Sequence, residues 1–400
     1  MGKTTILYFL VFFTLLSCKQ SSKKSIVNER VIKIDLDNST QQKLSDIFKG
    51  ISYTLLKSDD ANPLVEPYQI HINDKFIYVQ DYFNSNVHRF DRFGNIDFIF
   101  KANGQGPGEY QQVEVFQVRE DTLLILDRSL RKIVSFDTVQ SLLTEEKIPK
   151  NASSFIARSG RTLFFMNNIR DGSDYNFLVF EGKELIEEAI EIRLGFDKFQ
   201  FGVRNGFSPG FEGGFVFPIP YTSQVVFFDE KLKFKQRLEF DLGLQGVNEL
   251  DFIRLNSVDR DTYQNFIREN QLVEHISMFT ALGDLYFMSL YQYNKGIHFI
   301  LLDKEFNILS QVSGFENDID EMRIRNIPWT YYNDQVIYSI NSIDFYNDYA
   351  NKFAGEKVEI EPDNIHDFFQ KNKEELMNDQ TVLVSLKLRN DLSSVSKVQR

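Results

Sequence analysis

Residues 68–100 read YQIHINDKFIYVQDYFNSNVHRFDRFGNIDFIF, and this stretch decides the fold of the 400-residue chain. Four short runs rich in β-branched and aromatic residues, at 68–72, 76–79, 87–90 and 96–100, are separated by turn-forming residues such as Asn73-Asp74. Runs of this length with such turns between them predict a four-stranded antiparallel sheet. A second unit repeats the arrangement at 113–118, 123–126, 133–136 and 142–148.

The third strand of a unit ends in an aromatic residue or Leu followed by an acid. This pair recurs at Phe90-Asp91, Phe136-Asp137, Phe180-Glu181, Phe228-Asp229 and Leu302-Asp303. The first four pairs lie about 44 to 48 residues apart, which is the length of one propeller blade. Later units begin near residues 153, 202, 277 and 326, so the sequence predicts an all-β, six-bladed β-propeller over residues 31–400. Because Asp accepts hydrogen bonds from backbone N–H groups in the following turn, we interpret the acids of these pairs as turn residues.

The sixth unit lacks its outer strands where the period expects them. Two alternating segments, Thr381–Leu388 and residues 31–36, have the pattern of half-buried strands near the two ends of the chain. We therefore expect the C-terminal strand to complete the sixth blade with the strand at 31–36 beside it. This pairing would close the ring and hide its edges.

Two insertions interrupt the repeat, near residues 243–274 and 344–377. In the first, Tyr263, Phe266 and Ile267 at helical spacing predict an amphipathic helix that begins near Asp259. The second has a helical stripe at Ile365, Phe368, Phe369 and Leu376. Strand direction alternates within a blade, so both insertions are expected on one face. There they would roof the central depression or simply pack onto the blades.

The sequence resembles the six-bladed β-propeller lipoproteins of Bacteroidota, relatives of the NHL-repeat propellers. The resemblance rests on residues 51–66, the Ile77-Tyr78-Val79-x-Asp81 and Phe90-Asp91-x-x-Gly94 motifs, and GQGPGEY at 104–110. It implies the propeller fold and a place in the cell envelope. It implies no reaction, because the family supplies no set of catalytic residues. The glycine motif is followed by a strand, so we interpret it as a tight crossing between blades and not as a phosphate-binding loop.

The N-terminus has the features of a secretory signal. Lys3 precedes an apolar stretch at residues 6–16, which is too short to cross a bilayer. The following Leu15-Leu16-Ser17-Cys18 resembles a bacterial lipobox, so residues 1–17 are expected to be a lipoprotein signal peptide and Cys18 the site of lipid attachment. Residues 18–30 would form a flexible tether. The run after Cys18 is not acidic, which by the same resemblance favours the outer membrane with the protein facing the periplasm.

Composition limits the partners further. Cys18 is the single cysteine, which suits an oxidising compartment. The formal net charge of −12 should repel a phosphate backbone, so nucleic acid is not an expected partner.

The face that holds the insertions also holds the longer, side-chain-rich loops. Tyrosine and arginine would suit a glycan, peptide or protein ligand, because they offer flat apolar surface and carboxylate-binding forks. The candidate ligand-face residues are Glu109, Tyr110, Arg128, Arg170, Tyr221, Tyr291 and Tyr293.

Residues that would indicate catalysis are scattered. The chain contains no His-x-His or His-Glu-x-x-His pattern, and we assign no catalytic residue, metal or cofactor. Some six-bladed propellers hold calcium in the channel and hydrolyse lactones, which leaves a calcium-dependent esterase or lactonase as one alternative. The leading hypothesis is a non-catalytic binding or scaffold lipoprotein, and a third possibility is an accessory subunit of an envelope complex.

Overall fold

The computed structural model describes residues 23–24, 29–58, 61–148, 150–193, 206–248, 251, 259–324 and 327–392. Four strands and one short helix precede the first blade: β1 (Lys23–Lys24), β2 (Glu29–Lys33), β3 (Thr40–Lys43), α1 (Leu44–Ile47) and β4 (Phe48–Leu56). The predicted signal peptide and Cys18 lie outside the described residues. The tether predicted over residues 18–30 is partly strand, because β1 and the start of β2 pair with blades.

Three blades follow, each built from four consecutive antiparallel strands as the repeat predicts. The first blade comprises β5 (Pro67–Ile72), β6 (Phe76–Asp81), β7 (Asn86–Asp91) and β8 (Ile96–Phe100). The second comprises β9 (Val115–Arg119), β10 (Thr122–Asp127), β11 (Lys132–Phe136) and β12 (Leu142–Lys147). The third comprises β13 (Ser154–Arg158), β14 (Arg161–Phe165), β15 (Tyr175–Glu181) and β16 (Glu184–Glu191).

The fourth and fifth blades also have four consecutive strands, with a helix between the blades. The fourth comprises β17 (Ser208–Pro209), β18 (Phe215–Pro218), β19 (Gln224–Phe228) and β20 (Phe234–Asp241). After α2 (Arg260–Glu269), the fifth comprises β21 (Val273–Leu282), β22 (Leu285–Gln292), β23 (Gly296–Leu302) and β24 (Ile308–Glu316).

The sixth blade is assembled from three separated parts of the chain. Its inner strands are β25 (Thr330–Tyr332) and β26 (Gln335–Asn341), followed by α3 (Ser342–Lys352) and α4 (Ile365–Asn372). Its third strand is β27 (Thr381–Leu388), and β4 pairs antiparallel with β27 as the outermost strand. The fold class predicted from the sequence is therefore confirmed, including closure of the ring by strands from both ends of the chain.

The N-terminal partner in this closure differs from the one predicted. Val384 of β27 pairs with Tyr53 of β4, whereas β2 runs parallel to β20 on the outer edge of the fourth blade. The expectation that residues 31–36 lie beside β27 was wrong. Ile32, Ile34 and Leu36 are buried there in the cluster between the fourth and fifth blades. The alternation of buried and exposed side chains predicts a half-buried strand. It does not specify on which blade that strand forms the outer edge.

Four of the five acids after the third strands are turn residues, as predicted, whereas Glu181 accepts a hydrogen bond from Arg161 at 3.3 Å. Asp91 accepts hydrogen bonds from the backbone N–H groups of Phe93 and Asn95 at 2.9 and 2.8 Å. Asp137, Asp229 and Asp303 repeat this geometry in the second, fourth and fifth blades. The backbone N–H of Ser141 donates a hydrogen bond to Asp137 and holds the pKa of that carboxyl below its usual value.

Both helical insertions are present. Helix α2 lies in the connection between the fourth and fifth blades, and α3 and α4 lie between the second and third strands of the sixth blade, so they are on the same face. Asp259 caps α2 by accepting a hydrogen bond from the Thr262 N–H at 2.9 Å. Helices α3 and α4 pack against the outermost strand of the sixth blade, where Phe345 and Phe368 contact the Tyr53 ring at 5.4 and 5.3 Å between centroids. Their apolar stripes therefore belong to the packing of the fifth and sixth blades and do not roof the centre. None of the helices in the described ranges has the length and apolarity of a membrane span.

A candidate ligand cavity in the central channel

The innermost strands of the blades surround a cavity of about 620 Å³. Its wall is formed by side chains and backbone of β5, β9, β13, β17 and β25, with Ala281 near the end of β21. The wall also includes Asp74 and Asn333, which are exposed and lie in the turns that join the first and second strands of the first and sixth blades. Because strands alternate in direction, these turns lie on the face opposite the insertions. The cavity therefore belongs to the short-turn end of the channel.

Side-chain amides tie neighbouring inner strands together around the cavity. Gln69 of the first blade donates to the Phe116 carbonyl and accepts from the Phe116 N–H, both at 2.9 Å. Gln117 of the second blade makes the same pair of contacts with Ala157 of the third, at 3.3 and 2.9 Å. Thr330 of the sixth blade donates to the Ile70 carbonyl at 3.0 Å. These bonds satisfy inner-strand edges that would otherwise be open, and they make the channel wall rigid.

One buried hydroxyl in this wall has no hydrogen-bond partner. Ser154 is 1% exposed and its Oγ finds neither donor nor acceptor. The position next to it must be glycine, because a Cβ on Gly206 would lie 2.3 Å from that oxygen. An unsatisfied buried hydroxyl costs on the order of 1–3 kcal/mol, and this one is shielded from the cavity itself.

The remaining polar groups of the wall are neutral or lie at its rim. Burial lowers the pKa of His71 to about 4, so its imidazole is uncharged at neutral pH. Burial also raises the pKa of Tyr331 to about 12, against a hydrogen bond with Ser208 that lowers it. Asp74 accepts a hydrogen bond from the Tyr332 hydroxyl at 2.5 Å and is the one carboxylate among the described lining residues. Apolar walls with a few neutral polar groups are typical of sites for uncharged polar molecules.

The wall does not form a metal site from the described residues. No group of three or more His, Cys, Asp or Glu side chains in the described part of the chain is close enough to hold an ion. His71 and Asp74 are the residues of these types that line the cavity.

The structure gives the glycine motif of the insertion face a packing role. Tyr110 is fully buried between the first two blades, and its hydroxyl donates to the Phe100 carbonyl at 3.0 Å. Glu109 accepts a hydrogen bond from the Gly106 N–H at 2.8 Å within the same turn. Gly108 has φ +74° and donates its N–H to Glu145 at 2.7 Å. The predicted ligand contact of Tyr110 is therefore replaced by packing, because the crossing turns its ring inward.

The two candidate arginines are held by their own blades. Arg128 donates to Asn151 Oδ1 at 2.9 Å and lies 3.6 Å from a Glu114 carboxylate oxygen. Arg170 donates to Asp174 at 2.8 Å and to the Ile192 carbonyl at 3.1 Å. Each guanidinium thus orders a connecting loop, and the two lie on different blades.

The three remaining candidates come together around α2. Tyr221 and Tyr293 pack against the small apolar cluster of Tyr263, Ile267 and Leu272. The Tyr293 hydroxyl donates to Gln264 at 2.9 Å, and Tyr291 contacts the Tyr293 ring edge-on at 5.2 Å. Tyr291 is 37% exposed, so this surface is partly open.

Sequence reasoning missed the channel residues. The signal that could have found them is the first strand of each unit, since the innermost strands of a propeller always line its channel. Gln69 and Gln117 occupy corresponding positions in the first two units. Composition and motif spacing alone do not distinguish these glutamines from solvated ones.

Several solved structures are similar to this chain. A Bacteroides fragilis protein described as exported is 15% identical, with a TM-score of 0.66 over 90% of this chain and 100% of that one. A Bacteroides vulgatus member of the DUF4221 family is 11% identical, with a TM-score of 0.48 over 86% and 97%. Virginiamycin B lyase from Staphylococcus aureus is 10% identical, with a TM-score of 0.39 over 68% and 76%. The first of these likenesses supports the fold alone.

A comparison with curated proteins returns no match. The sequence signature of the DUF5128 family, described as a 6-bladed beta-propeller, matches residues 20–339. This match spans most of the chain and five complete blades of the ring. The protein therefore belongs to the DUF5128 family of 6-bladed beta-propellers.

Proposed function

We propose that this protein is a non-catalytic, lipid-anchored binding protein of the bacterial envelope that takes an uncharged polar ligand into the central cavity. A short glycan or a peptide segment is the chemical class that suits the wall. The observation that carries the proposal is the channel cavity of about 620 Å³, whose wall combines apolar side chains with neutral polar groups. That volume lies within the range of roughly 300–1,000 Å³ typical of small-molecule sites.

The chemistry of the wall favours an uncharged ligand. His71 is neutral at physiological pH, and the carboxylate of Asp74 is at the rim. Phe207, Phe215 and Tyr331 line the cavity, are partly exposed, and supply flat surface of the kind on which sugar rings and peptide side chains pack. A charged ligand would be desolvated here, and Asp74 at the rim is the one countercharge among the described lining residues.

The envelope location rests on the N-terminal sequence. The lipobox resemblance at Leu15-Leu16-Ser17-Cys18 supports acylation of Cys18, with the body facing the periplasm from the outer membrane. The exported Bacteroides fragilis neighbour is in keeping with this location. The net charge of −12 favours partners other than nucleic acid.

Binding to arrays of neutral oligosaccharides and short peptides, followed by calorimetry on the hits, tests the proposal. Asn333→Gly at the mouth of the cavity should weaken binding about tenfold, the effect of losing one well-formed hydrogen bond. Tyr291→Ala on the opposite face is the matched control and should leave the affinity unchanged. Equal affinity of Asn333→Gly and the parent protein for every hit would contradict the channel site.

A second candidate is docking of a protein partner, as in an envelope complex, on the insertion face. The partly exposed tyrosines around α2 favour it. Simultaneous substitution of Arg170, Tyr221 and Tyr291 would then abolish partner capture from membranes while channel binding persists. Calcium-dependent ester or lactone hydrolysis by the purified protein would instead support the enzymatic alternative. Calcium prefers six to eight oxygen ligands, of which the described wall offers one carboxylate.

A further inference from the structure

The N-terminal strands wrap the outside of the ring in blade order. β1 lies parallel to β16 on the third blade, β2 to β20 on the fourth, and β3 to β24 on the fifth, before β4 completes the sixth. The chain therefore travels around the rim from the third blade to the sixth. Four residues, 25–28, separate β1 from β2 in the sequence.

The position of Lys23 limits where a lipid on Cys18 can lie. Cys18 precedes Lys23 by five residues, and five extended residues span at most about 18 Å. The acyl chains must therefore emerge within that distance of the outer edge of the third blade.

The neighbouring rim of the second blade exposes three aliphatic side chains beside the charged Glu146 and Lys147 of the same strand. Leu142 and Leu143 of β12 are 46% and 51% exposed, and Val139 in the preceding turn is 65% exposed. Among the described residues, β12 pairs only with β11 and carries no N-terminal strand, unlike the outer strands of the next three blades. This surface, Val139 with Leu142 and Leu143, is called the blade-2 rim below.

We infer that the blade-2 rim rests on the lipid surface to which Cys18 is anchored, so that the propeller stands edge-on to the membrane. The inference rests on the proposed acylation of Cys18. The short lead from Cys18 to Lys23 brings the bilayer to this part of the rim, and the exposed aliphatic side chains suit its interfacial region. In this orientation the channel mouth and the insertion face both point along the membrane and stay open to ligands.

Single engineered cysteines test the orientation, because an acylated Cys18 leaves no other thiol. Leu143→Cys probes the blade-2 rim, and Gln41→Cys on β3 probes the opposite rim, three blades away. Leu244→Cys, at a residue 98% exposed, probes the insertion face, and Asn333→Cys probes the short-turn face. Each lipidated variant carries an environment-sensitive fluorophore in vesicles of phosphatidylethanolamine and phosphatidylglycerol.

We expect the label at residue 143 to lose most of its quenching by an aqueous quencher and to gain quenching by a lipid-borne one. The other three labels should behave as they do in the soluble Cys18→Ala protein. Equal aqueous quenching at all four positions, with the acyl mass present on Cys18, would overturn the edge-on orientation and leave the anchor intact. Shielding of residue 143 already in the Cys18→Ala protein would overturn it too, by indicating a protein contact. Absence of the acyl mass would instead remove the anchor itself.

Discussion

The first and sixth blades have the same four-stranded shape but opposite origins in the sequence. The first is continuous over residues 67–100, and each turn is closed by a local side chain. Asn73 accepts from the Phe76 N–H at 2.8 Å, and Asp91 from the Asn95 N–H at 2.8 Å. The sixth joins β25 and β26 to β27 across two helices, and then to β4 from the start of the chain.

This difference separates local from global stability. A blade whose strands follow one another has little loop-closure entropy to overcome, whereas β4 and β27 meet only when most of the ring is in place. The large cluster around β27, which includes Tyr338, Phe345 and Leu386, offsets that cost. Closure of the ring is thus expected to depend on the sixth blade far more than on any continuous one.

Truncation before Thr381 should have the largest effect. It removes β27, exposes the facing edges of β26 and β4, and opens the main apolar cluster, so we expect aggregation and loss of cooperative melting by calorimetry. A chain that starts at Ser25 and lacks only β1 is the control and should melt almost normally. An unchanged melting curve for the C-terminal truncation would show that the ring closes without β27.

At acid pH we expect the first blade to lose folding free energy, because it carries His71. Burial lowers its folded-state pKa to about 4, whereas an unfolded histidine has a pKa near 6.5. The contribution of the neutral imidazole is therefore complete above pH 6.5 and is lost as the pH falls towards 4, by about 3 kcal/mol at most. Urea unfolding of the parent and of His71→Gln between pH 7 and pH 4 measures it. Parallel curves for the two proteins would contradict the prediction.

Matched valine truncations should show the smallest but most specific effect. Val79 of β6 and Val384 of β27 are both buried, and each Val→Ala change should lower the free energy of unfolding by about 2 kcal/mol. If the first blade forms early and the sixth late, Val79→Ala should mainly slow refolding and Val384→Ala should mainly speed unfolding. Stopped-flow fluorescence measures both rates. If both substitutions divide their effect between the refolding and unfolding rates in the same proportion, the two blades form together.

Local patterns were enough to predict much of the fold. The Phe-Asp pairs identified the third strands, because the acid is fixed by hydrogen bonds within five residues of itself, as Asp91 and Asp137 show. The helix after Asp259 and the strand Thr381–Leu388 were predicted for the same reason. Helix capping and side-chain alternation depend on residues that are neighbours in the sequence.

Contacts between distant residues were decided only by the tertiary structure. Residues 31–36 were the predicted partner of β27 and β4 is the observed one, because the pairing depends on packing against blades that lie hundreds of residues away. Tyr110 is a residue type expected on a ligand face, but the glycine motif directs its ring into the interface between two blades. The cavity around Ser154 likewise exists only where strands from different blades meet. The sequence by itself determined the repeating unit and its turns, because their hydrogen bonds are local. The order of strands on the rim and the wall of the channel depend on how six such units close into one ring.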